Sequence, residues 1–298
     1  MDFNFTEEQD QLREAVAKWV ERSYGFDRRR SIVSQGGFSQ DTWQELSELG
    51  LTALAVDDAH GGLGMGAVEA MVVMEQLGQG LVMDAIVQSW LVAQVLQSHG
   101  SAELQKQHLP ALASGQWRCV LAHQERAARY RLEVAEAFAE QNQGGQWLIT
   151  GLKSLVPIAP HAHAFLVTAN IKGQMAMFLV DSKASGLQVR GHVSQDGSSL
   201  GEVQFKSTPA HLVTPDGLAA LEWCADAGVA MACAEAVGIM DKTLSMTAEY
   251  LNTRKQFGVA ISQFQALRHR VADMKMQLEL ARSMSYYATL KLGAPAQE

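Results

Sequence analysis

The sequence predicts an α+β fold, and three observations carry that prediction. Helical periodicity runs from Thr6 to about Gly115, short β-type runs replace it between roughly Trp117 and Leu212, and long helices return after Pro215. Helices, then a sheet, then helices do not make the alternating pattern of a parallel α/β sheet. The expected division is a helical domain over 1–116, an antiparallel β-domain over 117–215 and a helical bundle over 216–298.

In the first block, Thr6 and Gln9 have the spacing of a capping box, and Leu12, Val16, Trp19 and Val20 then fall on one helical face. "WQELSELG" ends at Gly50, a residue suited to a left-handed helix stop, and "HGGLGMG" from His60 to Gly66 is a loop with four glycines. That loop runs into a helix through "AVEAMVVMEQLG". It lacks the spacing and the preceding strand of a dinucleotide fingerprint.

The middle block contains "WRCVLA", "QWLIT", "AFLVTA", "MAMFLV", "GLQVR" and "GEVQF", separated by Gly, Asn and Asp turns. In the last block Val229, Cys233, Val237, Met240, Leu244 and Leu251, with Thr247, follow three- and four-residue steps. Phe264, Leu267, Val271, Met274, Leu278 and Ala281 do the same. Two antiparallel helices, each with one buried seam and joined near Gly258, are expected.

Composition narrows the function. With 298 residues and 47% hydrophobic content the chain can bury a large core. A net charge of -8 without basic runs argues against nucleic acid. The apolar runs are short of the roughly 20 residues of a membrane span, and "MDFNFTEEQD" has no secretory character, so a cytoplasmic protein is expected. Cys119, Cys224 and Cys233 form no CxxC pair, which argues against disulfides and a zinc site. His161 and His163, on alternate positions of an expected strand, read as structural, and no metal is expected.

One connection carries more chemistry than a turn requires: "YLNTRKQFGVAISQFQ", residues 250–265. This segment and "ELGLTALAVDDAHGGLGMGAVEAMVVMEQLG" resemble the acyl-CoA dehydrogenase family. The likeness extends over the whole chain, as the N-terminal three quarters of such an enzyme with an incomplete C-terminal bundle. In finer detail the sequence is similar to the small subunit of two-component enzymes such as pimeloyl-CoA dehydrogenase.

The resemblance implies FAD as cofactor, an acyl-CoA substrate, and a homo- or hetero-oligomer with a homologous subunit. It places Arg254 on the flavin pyrophosphate and Phe257 against the cofactor across a subunit interface, with Gln256 nearby. A guanidinium fork suits pyrophosphate, although Arg254 would also suit a helix C-terminus and Phe257 a bundle plug. Gln265 reads either as a cofactor contact or, with Ser262, as a capping pair. Gln124 stands where the family has the threonine of Thr-Glu-Pro, Glu125 matches its glutamate, and Ala127 to Tyr130 replace the glycine-rich continuation. Leu155 and Pro157 replace the tryptophan and threonine of the family's Lys-x-Trp-Ile-Thr.

Dehydrogenation of a thioester needs a carboxylate for the α-proton, a flavin for the β-hydride and donors for the thioester oxygen. The family's late glutamate would fall beyond Glu298, and its alternative early-helix position is Gly228. Asp226 matches an acidic position near the CoA moiety, and no catalytic base can be named. Three functions are therefore open: a subunit of an FAD-dependent acyl-CoA dehydrogenase, a non-catalytic subunit beside a homologous flavoprotein, and a flavin monooxygenase on the same fold.

Overall fold

The computed structural model describes residues 4–83, 85–133 and 135–292. The helices are α1 (Glu7–Ser23), α2 (Phe26–Ser34), α3 (Gln40–Glu48), α4 (Ala67–Gly80), α5 (Ile86–His99), α6 (Ala102–Ala113), α7 (Gly217–Thr253) and α8 (Gln265–Leu292). The strands are β1 (Cys119–Ala122), β2 (Phe138–Gln141), β3 (Trp147–Pro157), β4 (Ala164–Ile171), β5 (Gln174–Asp181), β6 (Leu187–Val193), β7 (Ser199–Thr214), β8 (Lys255–Gln256) and β9 (Val259–Ala260). The chain forms two compact units. One contains residues 1–29, 67–82 and 229–298, and the other residues 30–66 and 83–228.

In the first unit α4 packs against α1 and α8. The capping box forms as its spacing predicts, Thr6 Oγ1 accepting from Gln9 N at 3.2 Å and Gln9 Oε1 accepting from Thr6 N at 2.9 Å. Val16 and Trp19 are buried on that helix. α4 and α7 cross so closely that a Cβ on Gly78 would lie 2.2 Å from Glu235 O. A Cβ on Gly238 would lie 1.9 Å from Glu75 O.

This crossing corrects the expected α7 seam. Val229 is 62% exposed and Cys233 is exposed, while Ala230, Met231, Ala234 and Val237 are buried. Close helix approach selects small residues, so the seam is rotated away from the larger β-branched one. On α8 the expected stripe holds at Leu278 and continues through buried Ser285 and Thr289, but Phe264, the first residue expected on it, precedes the helix and is 37% exposed. Among the described residues α7 alone is long and apolar enough to cross a membrane, by length and composition.

In the second unit α3 stops at Gly50 as expected (φ +80°), with Leu51 N donating to Leu46 O at 3.0 Å. The β-domain is one seven-stranded sheet, antiparallel apart from the β1–β4 pair and a single β2–β4 bridge. Its centre is the long antiparallel β3–β7 pair, and β6 extends it from β7. β2 has no counterpart among the predicted runs, because "FAEQ" is short and mostly exposed. Cys119 and Cys224 are buried, and all three cysteines are free thiols.

His161 falls in a 3₁₀ turn rather than a strand, stacked on Phe38 with ring centroids 4.4 Å apart. His163 Nδ1 accepts from Arg118 N at 3.0 Å.

Candidate functional site

The predicted site residues fall into two groups, one in each unit. The first group is the α7–α8 connection. Arg254 N closes α7 by donating to Tyr250 O at 2.8 Å, and Ile261 N donates to Arg254 O at 2.9 Å. Between them β8 and β9 form a two-residue hairpin with Gln256 paired to Val259. The loop residues Phe257 and Gly258 have φ of +53° and +82°. A two-residue hairpin loop of the type I′ form has positive φ at both positions, which glycine tolerates and phenylalanine resists.

Phe257 nevertheless stands at the tip, 91% exposed, touching Phe264 edge-on with centroids 6.1 Å apart. It plugs no core within the described residues. The Arg254 guanidinium makes no ion pair or hydrogen bond among the described residues, and Gln256 and Gln265 are exposed. Ser262 lies inside the 3₁₀ turn Ile261–Gln263, and α8 begins at Gln265 itself. The expected Ser262–Gln265 capping pair does not form, so the Gln265 amide is not engaged at the helix end.

The second group lies in the other unit. Gln124 follows β1 and lines a cleft of about 440 Å³ with Arg126, Arg129, Ser154, Leu155 and Arg190. A register shift between Lys153 and Val156 bulges β3. Leu155 takes φ +53° there and is left 54% exposed. Bulges of this kind re-aim side chains beside binding sites. Behind the cleft, fully buried Lys153 donates from Nζ to Glu125 Oε1 at 2.5 Å, Thr168 Oγ1 at 2.9 Å and His123 O at 3.2 Å. Glu125 also accepts from Glu136 N at 2.6 Å and Ala137 N at 3.2 Å.

Burial pulls the Lys153 ammonium down, and the Glu125 carboxylate opposes that pull. Both charges are satisfied, so Glu125 holds the strand end in place and is not open to a ligand. Burial, reinforced by Lys153, lowers His123 to about 4. The positions of Lys153 and Thr168 escape sequence reasoning, because strand register alone brings them to Glu125.

Asp226 is exposed on α7, well past its first turn, and makes no hydrogen bond or ion pair among the described residues. Helix N-terminal stabilisation therefore does not account for it. Glu222 is exposed too. A Cβ placed on Gly228 would meet nothing within 4 Å. A larger cleft of about 650 Å³ in the first unit, lined by α1, α4 and α7, contains none of the predicted site residues.

Comparison with known proteins gives this geometry a family. The model described as "Acyl-CoA dehydrogenase, N-terminal domain" matches residues 6–116, the middle-domain model residues 121–208 and the C-terminal-domain model residues 215–297. A probable acyl-CoA dehydrogenase of Bacillus subtilis, YngJ, is 28% identical, over 95% of this chain and 79% of its own length. An L-prolyl-[peptidyl-carrier protein] dehydrogenase of Pseudomonas fluorescens is 28% identical over all of this chain and 83% of its own. Among solved structures, the ChsE4-ChsE5 complex from Mycobacterium tuberculosis superposes with a TM-score of 0.86 at 26% identity, covering 97% of this chain and 79% of that one. PigA with FAD and proline gives 0.89 at 26%, covering 98% and 80%. The chain belongs to the acyl-CoA dehydrogenase family, FAD-binding oxidoreductases that act on CH–CH bonds.

Proposed function

We propose that this chain is a cytoplasmic subunit of a heteromeric FAD-dependent acyl-CoA dehydrogenase, paired with a homologous subunit and similar to the small subunit of two-component enzymes. The observation that carries the reading is the hairpin tip. Phe257 sits in a conformation unfavourable to it and stays 91% exposed, and the neighbouring Arg254 guanidinium has no ion pair or hydrogen bond among the described residues. Strain kept at an exposed position is explained by a counterpart outside the described chain. The likeness to the ChsE4-ChsE5 complex supports a heteromer. The family models support division near residues 116 and 215.

The residues fit the flavin by their chemistry. Arg254 offers a fork to the pyrophosphate, Phe257 an aromatic face, and Gln256, Gln265 and Gln124 offer amides. FAD, when bound, supplies the hydride acceptor. Asp226 would lie toward the CoA moiety. Replacing Arg254 with Ala in the flavin-loaded complex should weaken FAD binding roughly ten- to hundredfold, from about 1.5–3 kcal/mol for a charge-assisted contact. Unchanged affinity in a flavin titration would sink the assignment.

Gly228 favours a second reading, in which this subunit is non-catalytic and its homologous partner supplies the base. A visible spectrum of the chain purified alone separates the two. The second reading requires that no flavin be retained.

A further inference from the structure

We propose that Glu75 on α4 is a proton-operated switch whose ionisation loosens the seat of α8 against α4 and α7. The switch uses no residue of the hairpin or of the β-domain cleft, and it stands independently of the flavin reading. One cation faces three carboxylates there. Arg282 Nη2 lies 3.7 Å from Asp241 Oδ1, joining α8 to α7, and Arg282 Nη1 donates to Glu279 Oε1 at 2.8 Å within α8. Glu279 is also held by Lys275 Nζ at 2.5 Å. Glu75 is the third carboxylate, and its Oε1 is buried with no hydrogen-bond partner. Its main chain is pinned at the α4–α7 crossing, where a Cβ on Gly238, three residues before Asp241, would meet Glu75 O at 1.9 Å.

The other charged or titratable groups that act on Glu75 are Arg13 on α1 and Tyr286 on α8. Arg13 is already paired with Asp10 at 2.8 Å and lies over the Phe5 ring, which meets Tyr286 edge-on with centroids 5.9 Å apart. Five buried side-chain polar atoms lack a hydrogen-bond partner among the described residues, and three of them belong to the packed pair α4 and α8: Glu75 Oε1, Ser285 Oγ and Thr289 Oγ1. A carboxylate oxygen in that position has lost its hydration with no bond to replace it, a cost that falls on the ionised form. A proton on Glu75 removes that cost.

Burial is the chief cause that raises the Glu75 carboxyl above its ordinary 4.5; Arg282 opposes the rise, Asp241 adds to it and Arg13 opposes it. The folded state therefore holds this proton to higher pH than the unfolded chain does. The resulting stability is fully present below about 4.5 and is lost as pH rises through the raised value, a slope opposite to that of His123. The test is thermal unfolding of the full chain across this pH range, comparing the wild type with three variants. Glu75→Gln should raise the melting temperature by roughly 2–4 °C near pH 8, and the gain should vanish as pH falls to the ordinary carboxyl range. Asp241→Asn should move the loss of stability to lower pH by removing a like charge, and Arg282→Gln should move it to higher pH by removing the cation. Hydrogen exchange near pH 8 should show the α8 amides better protected in Glu75→Gln than in the wild type, with β3 unchanged.

A Glu75→Gln profile that runs parallel to the wild type at every pH, whether above, below or superimposed, gives Glu75 a packing role only and overturns the proposal. Shifts of the same sign in the Asp241 and Arg282 variants overturn it too, because one cation shared among carboxylates requires opposite signs. Should Arg282→Gln fail to fold, the direction of the Asp241→Asn shift decides alone. Equal protection of α8 in the wild type and Glu75→Gln near pH 8 overturns the link between the proton and the seat of that helix.

Discussion

Lys153 is the residue on which the β-domain depends most visibly, because its ammonium is fully buried against Glu125, Thr168 and the His123 carbonyl. Removing one partner of a buried pair leaves the other charge uncompensated. Lys153→Met should therefore destabilise the protein by about 3–5 kcal/mol in chemical denaturation, whereas an exposed pair such as Lys275–Glu279 should matter by less than about 1 kcal/mol.

His123 makes stability depend on pH. Its folded value is lowered to about 4, while the unfolded chain titrates near the ordinary 6.5, so unfolding takes up a proton between those values. The contribution is fully present above pH 6.5, is lost as pH falls, and is exhausted below about 4. The loss should be on the order of 2–3 kcal/mol, and His123→Gln should flatten that limb of a stability profile.

Helix packing and hairpin geometry govern the elements. Gly→Ala in a helix ordinarily stabilises by up to about 1 kcal/mol. At Gly238 the sign should reverse, because the new methyl would meet Glu75 O at 1.9 Å and force the α4–α7 crossing apart. A loss of about 1–3 kcal/mol in thermal or denaturant unfolding is expected.

The hairpin predicts the opposite combination. Phe257→Asn suits the left-handed loop position and should raise stability by about 1 kcal/mol, while removing the aromatic face and weakening flavin retention. A variant both less stable and unchanged in flavin binding would refute the role given to the tip.

For the whole molecule, the question is where the proton acceptor comes from. Gly228 has no side chain, and Glu222 and Asp226 are exposed elsewhere on α7. The 298-residue chain supplied with FAD should show a rate near background with an acyl-CoA, since a general base is worth roughly a hundred- to ten-thousandfold. Because a Cβ at Gly228 meets nothing within 4 Å, Gly228→Glu has room for its first side-chain carbon and should raise the rate of flavin bleaching in the flavin-loaded complex. Rapid bleaching by the unaltered chain would reveal an overlooked carboxylate.

The surface available for association also differs from the predicted seams. Val237 and Leu278 are buried within the chain, and the large apolar residues exposed on α8 are Met276, Leu280, Met284, Tyr287 and Leu290. Self-association at micromolar concentration, read by light scattering, should therefore respond to Met284→Lys. Val237→Lys should instead unfold the protein.

Features encoded over a few residues were legible from the amino-acid order. The capping box at Thr6 and the glycine stop at Gly50 both follow from backbone preferences and hydrogen bonds spanning three to five positions. The family motif was legible as well, because its spacing is local. Packing partners were not.

The α7 seam fell on Ala230, Ala234 and Gly238 rather than Val229 and Cys233 because the neighbouring helix approaches backbone to backbone, and hydrophobicity alone does not reveal how near a neighbour will come. Glu125, Lys153 and Thr168 meet through strand register, as do the arginines of the cleft on β6 and the loop after β1. Such encounters are set by long-range pairing, in which a bulge of one residue at Leu155 decides which side chains face the core and which face the cleft.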